Sequence, residues 1–350
     1  MGKYLNPGNN LFDSIIHSEI YVDKTGIIEP LNRWINTEDR FVCVSRARRF
    51  GKTVAARTIR AYYDKSCDSR TLFAPFEIAK KPSFEKYLNK FDVIAVDTQT
   101  FMQVSQDYRQ FVERLEQAVI IDLCQNWPDI PGLKDMTLPD ALMQIHASTQ
   151  SQFVFIIDEW DAIFRNHPED AATQRKWIEF LRDLFKQDNA GDYVALAYLT
   201  GILPVKKYKT QSALNQFREY TMIRPKDLAP YYGFVQSEVD VLCEQCQMDK
   251  AETAWWYDGY KFPNYKHVYN PCSLAQAMSV HELDFQACTP EFPRRMVNGK
   301  LSSMGRLMFY DPVKAANMLQ AGWRHWALNN ANQKKKLENQ GPLASTFSEI

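Results

Sequence analysis

The segment from Arg40 to Arg57, RFVCVSRARRFGKTVAAR, constrains this chain more than any other. Phe41 to Val44 form a short apolar run that reads as a buried strand, and Val54, Ala55, Ala56 and Ile59 then set out a helical apolar stripe. Between strand and helix lie Arg46, Arg48, Arg49, Phe50 and Gly51-Lys52-Thr53. The start of a helix exposes unpaired backbone N–H groups and roughly half a unit of positive charge, so it favours an anion. Gly51 lets the backbone approach a phosphate, Lys52 reaches the β- and γ-phosphates, and the Thr53 hydroxyl is placed to hold Mg²⁺. The usual pattern asks for glycine at position 46, where this chain has Arg46. Taken alone, the segment also reads as a basic, solvated helix start.

A second segment weighs against that bland reading. Phe153 to Phe164, FVFIIDEWDAIF, is a fully apolar strand ending in Asp158 and Glu159, and ligands of parallel α/β sheets gather at the carboxyl ends of such strands. Asp158 is placed to hold the Mg²⁺ shell, and Glu159 to orient or deprotonate an attacking water. Acidic residues after a buried strand also serve as helix N-caps. Both motifs in one chain point to a nucleotide site.

Length and charge leave room for this. The 350 residues are long enough for two domains, and 42 basic against 42 acidic residues exert no global pull toward nucleic acid or membrane. No apolar run approaches the roughly 20 residues of a membrane span, and Met1 to Asn10 is too polar for a signal peptide, so the expected location is cytoplasmic. Seven cysteines, with Cys43 and Cys124 inside apolar runs, read as buried thiols of a reducing compartment. Cys243 and Cys246 form a C-x-x-C within a helical pattern that offers no second pair, which favours packing over metal or redox chemistry.

Taken in order, the chain begins with an amphipathic helix from about Ile27, preceded by Asp23-Lys24-Thr25, which reads as an N-cap or as a segment near the base of a nucleotide. After the loop helix come a second buried strand ending in Asp97, a helix from about Tyr108 to Trp127 and another from Pro139 to Thr149. A helix near Gln174 to Gln187 follows the acidic strand, then a further buried strand ending in Thr200-Gly201. Thr200 either caps that strand or contacts the γ-phosphate or the water. Alternating strands and helices predict a doubly wound, mainly parallel sheet.

These residues resemble the bacterial and archaeal AAA-ATPase-like family, P-loop ATPases often joined to a PD-(D/E)XK nuclease-like domain. The matching pieces, in family order from about residue 10 to 275, include YVDKTGII, SRARRFGKT, FIIDEWDAIF, LTGILPV, YYGFVQSEV, and WWYDGYKF with VYNPCSL. The resemblance implies an arginine-rich loop in which Arg46 is ordinary, strengthens Asp158 and Glu159, and adds Asp161 as a supporting carboxylate. Trp160 departs from the tyrosine usual there.

The expected architecture is therefore a P-loop core over residues 1–205, a small helical, winged-helix-like lid over 206–278, and a degenerate tail over 279–350. Nucleotide contacts are expected from Arg46, Arg48, Arg49, Phe50, Gly51, Lys52, Thr53 and Val54, metal contacts from Thr53 and Asp158, and catalysis from Lys52, Glu159 and Thr200. One of the three loop arginines is expected on phosphate. The lid's aromatics and lysines read either as a stacking surface for nucleic acid or as a lid packed on the core, with Arg218 its candidate basic residue. The tail lacks the carboxylate and lysine pattern of the nuclease, so that half is expected to be missing by truncation or a changed frame, and no nuclease activity is expected. The implied function is ATP hydrolysis with Mg²⁺. The alternatives are a nucleotide-gated module without turnover, a nucleic-acid-associated ATPase of a nuclease or defence system, and a phosphotransferase, against which Glu159 argues. A homo-oligomer or a protein partner is open.

Overall fold

A computed structural model describes residues 2–187, 189–205, 214–262 and 265–281. The expected tail beyond His281 and the lysine cluster Lys206, Lys207 and Lys209 lie outside the described residues.

Five strands, β1 (Phe41–Ser45), β2 (Asp92–Asp97), β3 (Phe153–Asp158), β4 (Val194–Gly201) and β5 (Arg218–Tyr220), form one sheet in the order β2-β3-β4-β1-β5. Every pairing is parallel. Strands of such a sheet are buried on both faces, which is why they read as continuous apolar runs. Alternate side chains divide the core. Cys43, Phe155, Ile157 and Leu199 face one cluster with the helices Phe111–Asn126, Leu138–Thr149 and Ala171–Phe185. Val42, Val44, Val154, Ile156 and Tyr198 face the other, with the helices Ile28–Trp34 and Lys52–Tyr63.

The topology puts β4 between the strands that carry the two motifs. Val44 is level with Thr200, and Asp97 with Asp158. The backbone N–H of Arg46 donates to the Gly201 carbonyl at 3.0 Å, and that of Trp160 to the Thr200 carbonyl at 2.9 Å. The end of β4 thus ties both motifs in place. A Cβ at Gly201 would lie 2.7 Å from an Asp161 carboxylate oxygen and 2.8 Å from the Trp160 ring, so only glycine allows this close approach.

The strand β5 was not foreseen. Three residues are too few to show a period, and it is recognisable only by its pairing with β1. It also carries the chain back into the core sheet beyond residue 205, so the sheet does not end at the expected division. Arg218 lies in this edge strand beside Val42, toward the amino end of the sheet, and is ion-paired with Asp39. It is therefore a core-edge residue and not a lid residue facing the nucleotide.

The helices expected further on are present as Gln236–Gln245, Lys250–Tyr257 and Pro271–Ser279. Three short strands lie among them, β6 (Phe234–Val235), β7 (Asp258–Phe262) and β8 (Tyr265–Tyr269), antiparallel in the order β6-β8-β7. One strand, two helices and a hairpin follow one another as in a winged helix. Phe234, Val239, Leu242, Cys243, Cys246, Tyr257 and Leu274 form its small core, so Cys243 and Cys246 are packing residues there. The six described cysteines are free thiols. Among the described residues no helix is long and apolar enough to cross a membrane.

Candidate functional site

The helix Lys52–Tyr63 begins at Gly51, whose φ of 85° lies in the left-handed region that favours glycine. A Cβ there would meet no atom within 4 Å, so conformation selects the glycine and the space above it is open. The unpaired N–H groups of this first turn face that space.

The open space belongs to a cavity of about 610 Å³. Its floor is the loop Arg48 to Ala55 together with Gln99, Glu159 and Arg165. Ile15, Ile20, Tyr21, Val22 and Lys24 form one wall, and Tyr231, Gly233, Phe234, Pro271, Cys272 and Ala275 another. The segment around Asp23-Lys24-Thr25 thus does two things. Asp23 turns the chain by accepting from the Thr25 N–H at 2.8 Å, and Lys24 lines the cavity. Lys24 donates to the Pro230 carbonyl at 2.7 Å and is ion-paired with Glu238 at 2.6 Å, joining the two walls.

Five expected residues meet at or just beneath the floor. The Thr53 hydroxyl donates to one oxygen of Asp158 at 2.7 Å, and the Thr200 hydroxyl donates to the other. Burial pushes the Asp158 carboxyl above its usual range, partly offset by these two hydroxyls. Lys52 is buried, donates to the carbonyls of Ala47 at 3.1 Å and Arg46 at 3.3 Å, and lies 3.6 Å from Glu159. Burial lowers its pKa, opposed chiefly by Glu159.

Glu159 has a φ of 53°, a left-handed conformation that costs a side-chain-bearing residue about 1 kcal/mol and turns the chain sharply after β3. Its other oxygen is held by Arg165, from the short helix Ala162–Asn166. Arg165 also donates to Asp161 at 3.1 Å, and Asp161 accepts from the N–H groups of Ile202 and Leu203 at 3.0 and 2.8 Å. Sequence reasoning missed Arg165. Its only signal was an i, i+4 spacing from Asp161, which is common on any helix.

The three loop arginines separate. Arg48 and Arg49 are exposed and line the cavity, and Phe50 and Val54 line it with them. Arg46 points the other way. It is fully buried, donates to the carbonyls of Ser45 at 3.0 Å and Tyr220 at 2.5 Å, and lies 4.7 Å over the Tyr232 ring. Expected on the nucleotide, Arg46 instead ties the loop to the end of β5 and to Tyr232 beyond it.

A five-stranded parallel sheet in this order, with the glycine-lysine-threonine loop and the acidic strand end on one edge, is the fold of a P-loop nucleoside-triphosphatase-like protein. The chain belongs to the AAA-ATPase-like family, described as predicted AAA-ATPase, whose family model matches residues 8–210. No curated protein matches it. Membership supports nucleotide binding and places the chain among predicted ATPases.

Proposed function

We propose that this chain binds ATP with Mg²⁺ in the cavity above Gly51 and hydrolyses it. The observation that carries this reading is the meeting of Thr53 with Asp158, 105 residues apart, beside the Lys52–Glu159 pair. A hydroxyl and a carboxylate are the hard oxygen donors that Mg²⁺ takes, usually one or two from protein with the rest from phosphate and water. The buried Asp158 carboxylate fits such an ion, since a cation would offset its desolvation. Bound there, Mg²⁺ would supply neutralisation of charge on the β- and γ-phosphate oxygens.

The chain's own residues perform the rest. Lys52 exchanges its bonds to the Ala47 and Arg46 carbonyls for phosphate oxygens, and the helix N-terminus and the exposed Arg48 and Arg49 hold the phosphate chain. Thr200 fixes Asp158 from β4. Glu159 accepts a hydrogen bond from a water and orients its oxygen toward the γ-phosphorus. As the new P–O bond forms, the bond to the β,γ-bridging oxygen breaks with its electron pair leaving on ADP. The water's proton passes to Glu159 and then to the released phosphate.

Phosphate release from MgATP by the purified chain, compared with Lys52→Ala and Glu159→Gln, tests the proposal. Melting is followed at saturating ATP, where a ligand at about 100 times its Kd adds roughly 2.7 kcal/mol. Release by the native chain, only a small residual rate in either variant, and a melting shift retained in Glu159→Gln are the expected result. A melting shift without release from the native chain identifies a nucleotide-binding module. No shift and no release overturns the nucleotide reading.

A further inference from the structure

Glu159 faces two cations, and only one of them has another task. Lys52 approaches one Glu159 oxygen at 3.6 Å, and the triphosphate, once bound, draws Lys52 away to its own oxygens. Arg165 holds the second oxygen and has no comparable reason to leave. Its Nε is engaged at 3.1 Å with Asp161, a fully buried carboxylate. Asp161 in turn is fixed by the backbone N–H groups of Ile202 and Leu203, just beyond the Thr200-Gly201 end of β4.

The guanidinium is only 11% exposed, and Glu159 18%, so water screens the pair little. A planar fork that binds two carboxylates at once fixes both in orientation, which a single ammonium does not. Glu159 is itself in the left-handed backbone region and sits just past a strand end, where its long side chain has rotamers to lose.

From this geometry we propose that Arg165 is the positioning residue for Glu159, holding one carboxylate oxygen so that the other is presented to the attacking water once Lys52 has moved to phosphate. The inference rests on the hydrolytic reading given above. Arg165 acts through Glu159 and not on the γ-phosphate, although it borders the same cavity.

A double-mutant cycle tests this, with steady-state phosphate release and ATP-induced melting shifts measured on the native chain, Arg165→Ala, Arg165→Lys, Glu159→Gln and the double variant Glu159→Gln with Arg165→Ala. Arg165→Ala is expected to lower kcat about 10- to 100-fold, the range of positioning by one ordered side chain, with an unchanged ATP-induced melting shift. Arg165→Lys recovers part of the loss, because an ammonium restores charge but not the two-carboxylate fork. On the Glu159→Gln background, removing Arg165 produces no further loss.

An Arg165→Ala chain with native kcat overturns the proposal. A further loss on the Glu159→Gln background also overturns it, since that result assigns Arg165 to the phosphate itself. Loss of the melting shift in Arg165→Ala, with kcat unchanged at saturating ATP, overturns it in favour of a binding role. A native chain that shifts its melting with ATP but releases no phosphate removes the hydrolytic reading, and the proposal falls with it.

Discussion

The guanidinium of Arg46 lies 4.7 Å over the ring of Tyr232, and the same side chain donates to the Tyr220 carbonyl. A residue at the first position of the phosphate loop is thereby part of the protein's interior. Phe262 of β7 is also within 5.8 Å of it, so the loop touches the winged-helix-like module through this side chain. Phe50 adds a second contact, edge-on to Tyr260 at 4.7 Å. Replacing Arg46 with the glycine usual in phosphate loops is therefore expected to destabilise the chain by about 3 kcal/mol, from lost cation–π contact and charged hydrogen bonds. Urea denaturation measures the loss. A native-like midpoint together with weakened ATP binding would instead place Arg46 on the nucleotide.

The Lys24–Glu238 pair predicts an asymmetry. Glu238→Ala leaves a partly buried ammonium without its carboxylate and removes the acceptor of the Val235 N–H, so a loss of about 2 kcal/mol is expected. Lys24→Met fills the same space without charge, and Glu238 keeps the Val235 N–H, so this change is expected to cost under about 1.5 kcal/mol. Equal losses in denaturation of the two variants would show that the pair contributes little beyond packing.

Asp158→Asn separates stability from metal dependence. Burial disfavours the charged carboxylate, and an amide can still accept from Thr200 and donate to Thr53. The variant is expected to melt at or above the native temperature without Mg²⁺, and to lose the extra stabilisation that Mg²⁺ adds to ATP. Calorimetry with and without chelator reads both. A variant that melts well below the native chain in chelator would show that the carboxylate's charge is needed for the fold.

Gly201→Ala tests the close packing at the end of β4. The added methyl would meet Asp161 and Trp160, both fully buried, and such overpacking costs about 1–3 kcal/mol. Because Asp161 also anchors Arg165, phosphate release is expected to fall further than the thermal midpoint alone implies. A melting temperature equal to that of the native chain would show that these neighbours yield easily.

What the sequence made legible follows from how each feature is encoded. The four buried strands and the loop helix depend on local apolar pattern, and each lies within a few residues of its expected place. Lys52, Thr53, Asp158, Glu159 and Thr200 are brought together because all lie at the carboxyl edge of one sheet. What was not legible depends on distant contacts. The strand β5 is defined by its neighbour, the inward turn of Arg46 by Tyr232, and the pairing of Arg165 with Glu159 by the left-handed backbone at Glu159 itself. The lid's aromatics read two ways in sequence, and Phe217, Tyr220, Tyr232 and Tyr257 are buried. The module from Phe234 to His281 carries Glu238, Asp240, Glu244, Asp249, Glu252 and Asp258 against Lys250, Lys261 and Lys266, a balance that does not favour phosphate backbones.

The cavity walls come from opposite ends of the described chain, Ile15 to Lys24 on one side and Tyr231 to Ala275 on the other. Walls so far apart in sequence are held together across a long closed loop, and non-local contacts of this kind slow folding. A ligand that fits between these walls is expected to hold the two ends of the described chain together and so stabilise the closed molecule.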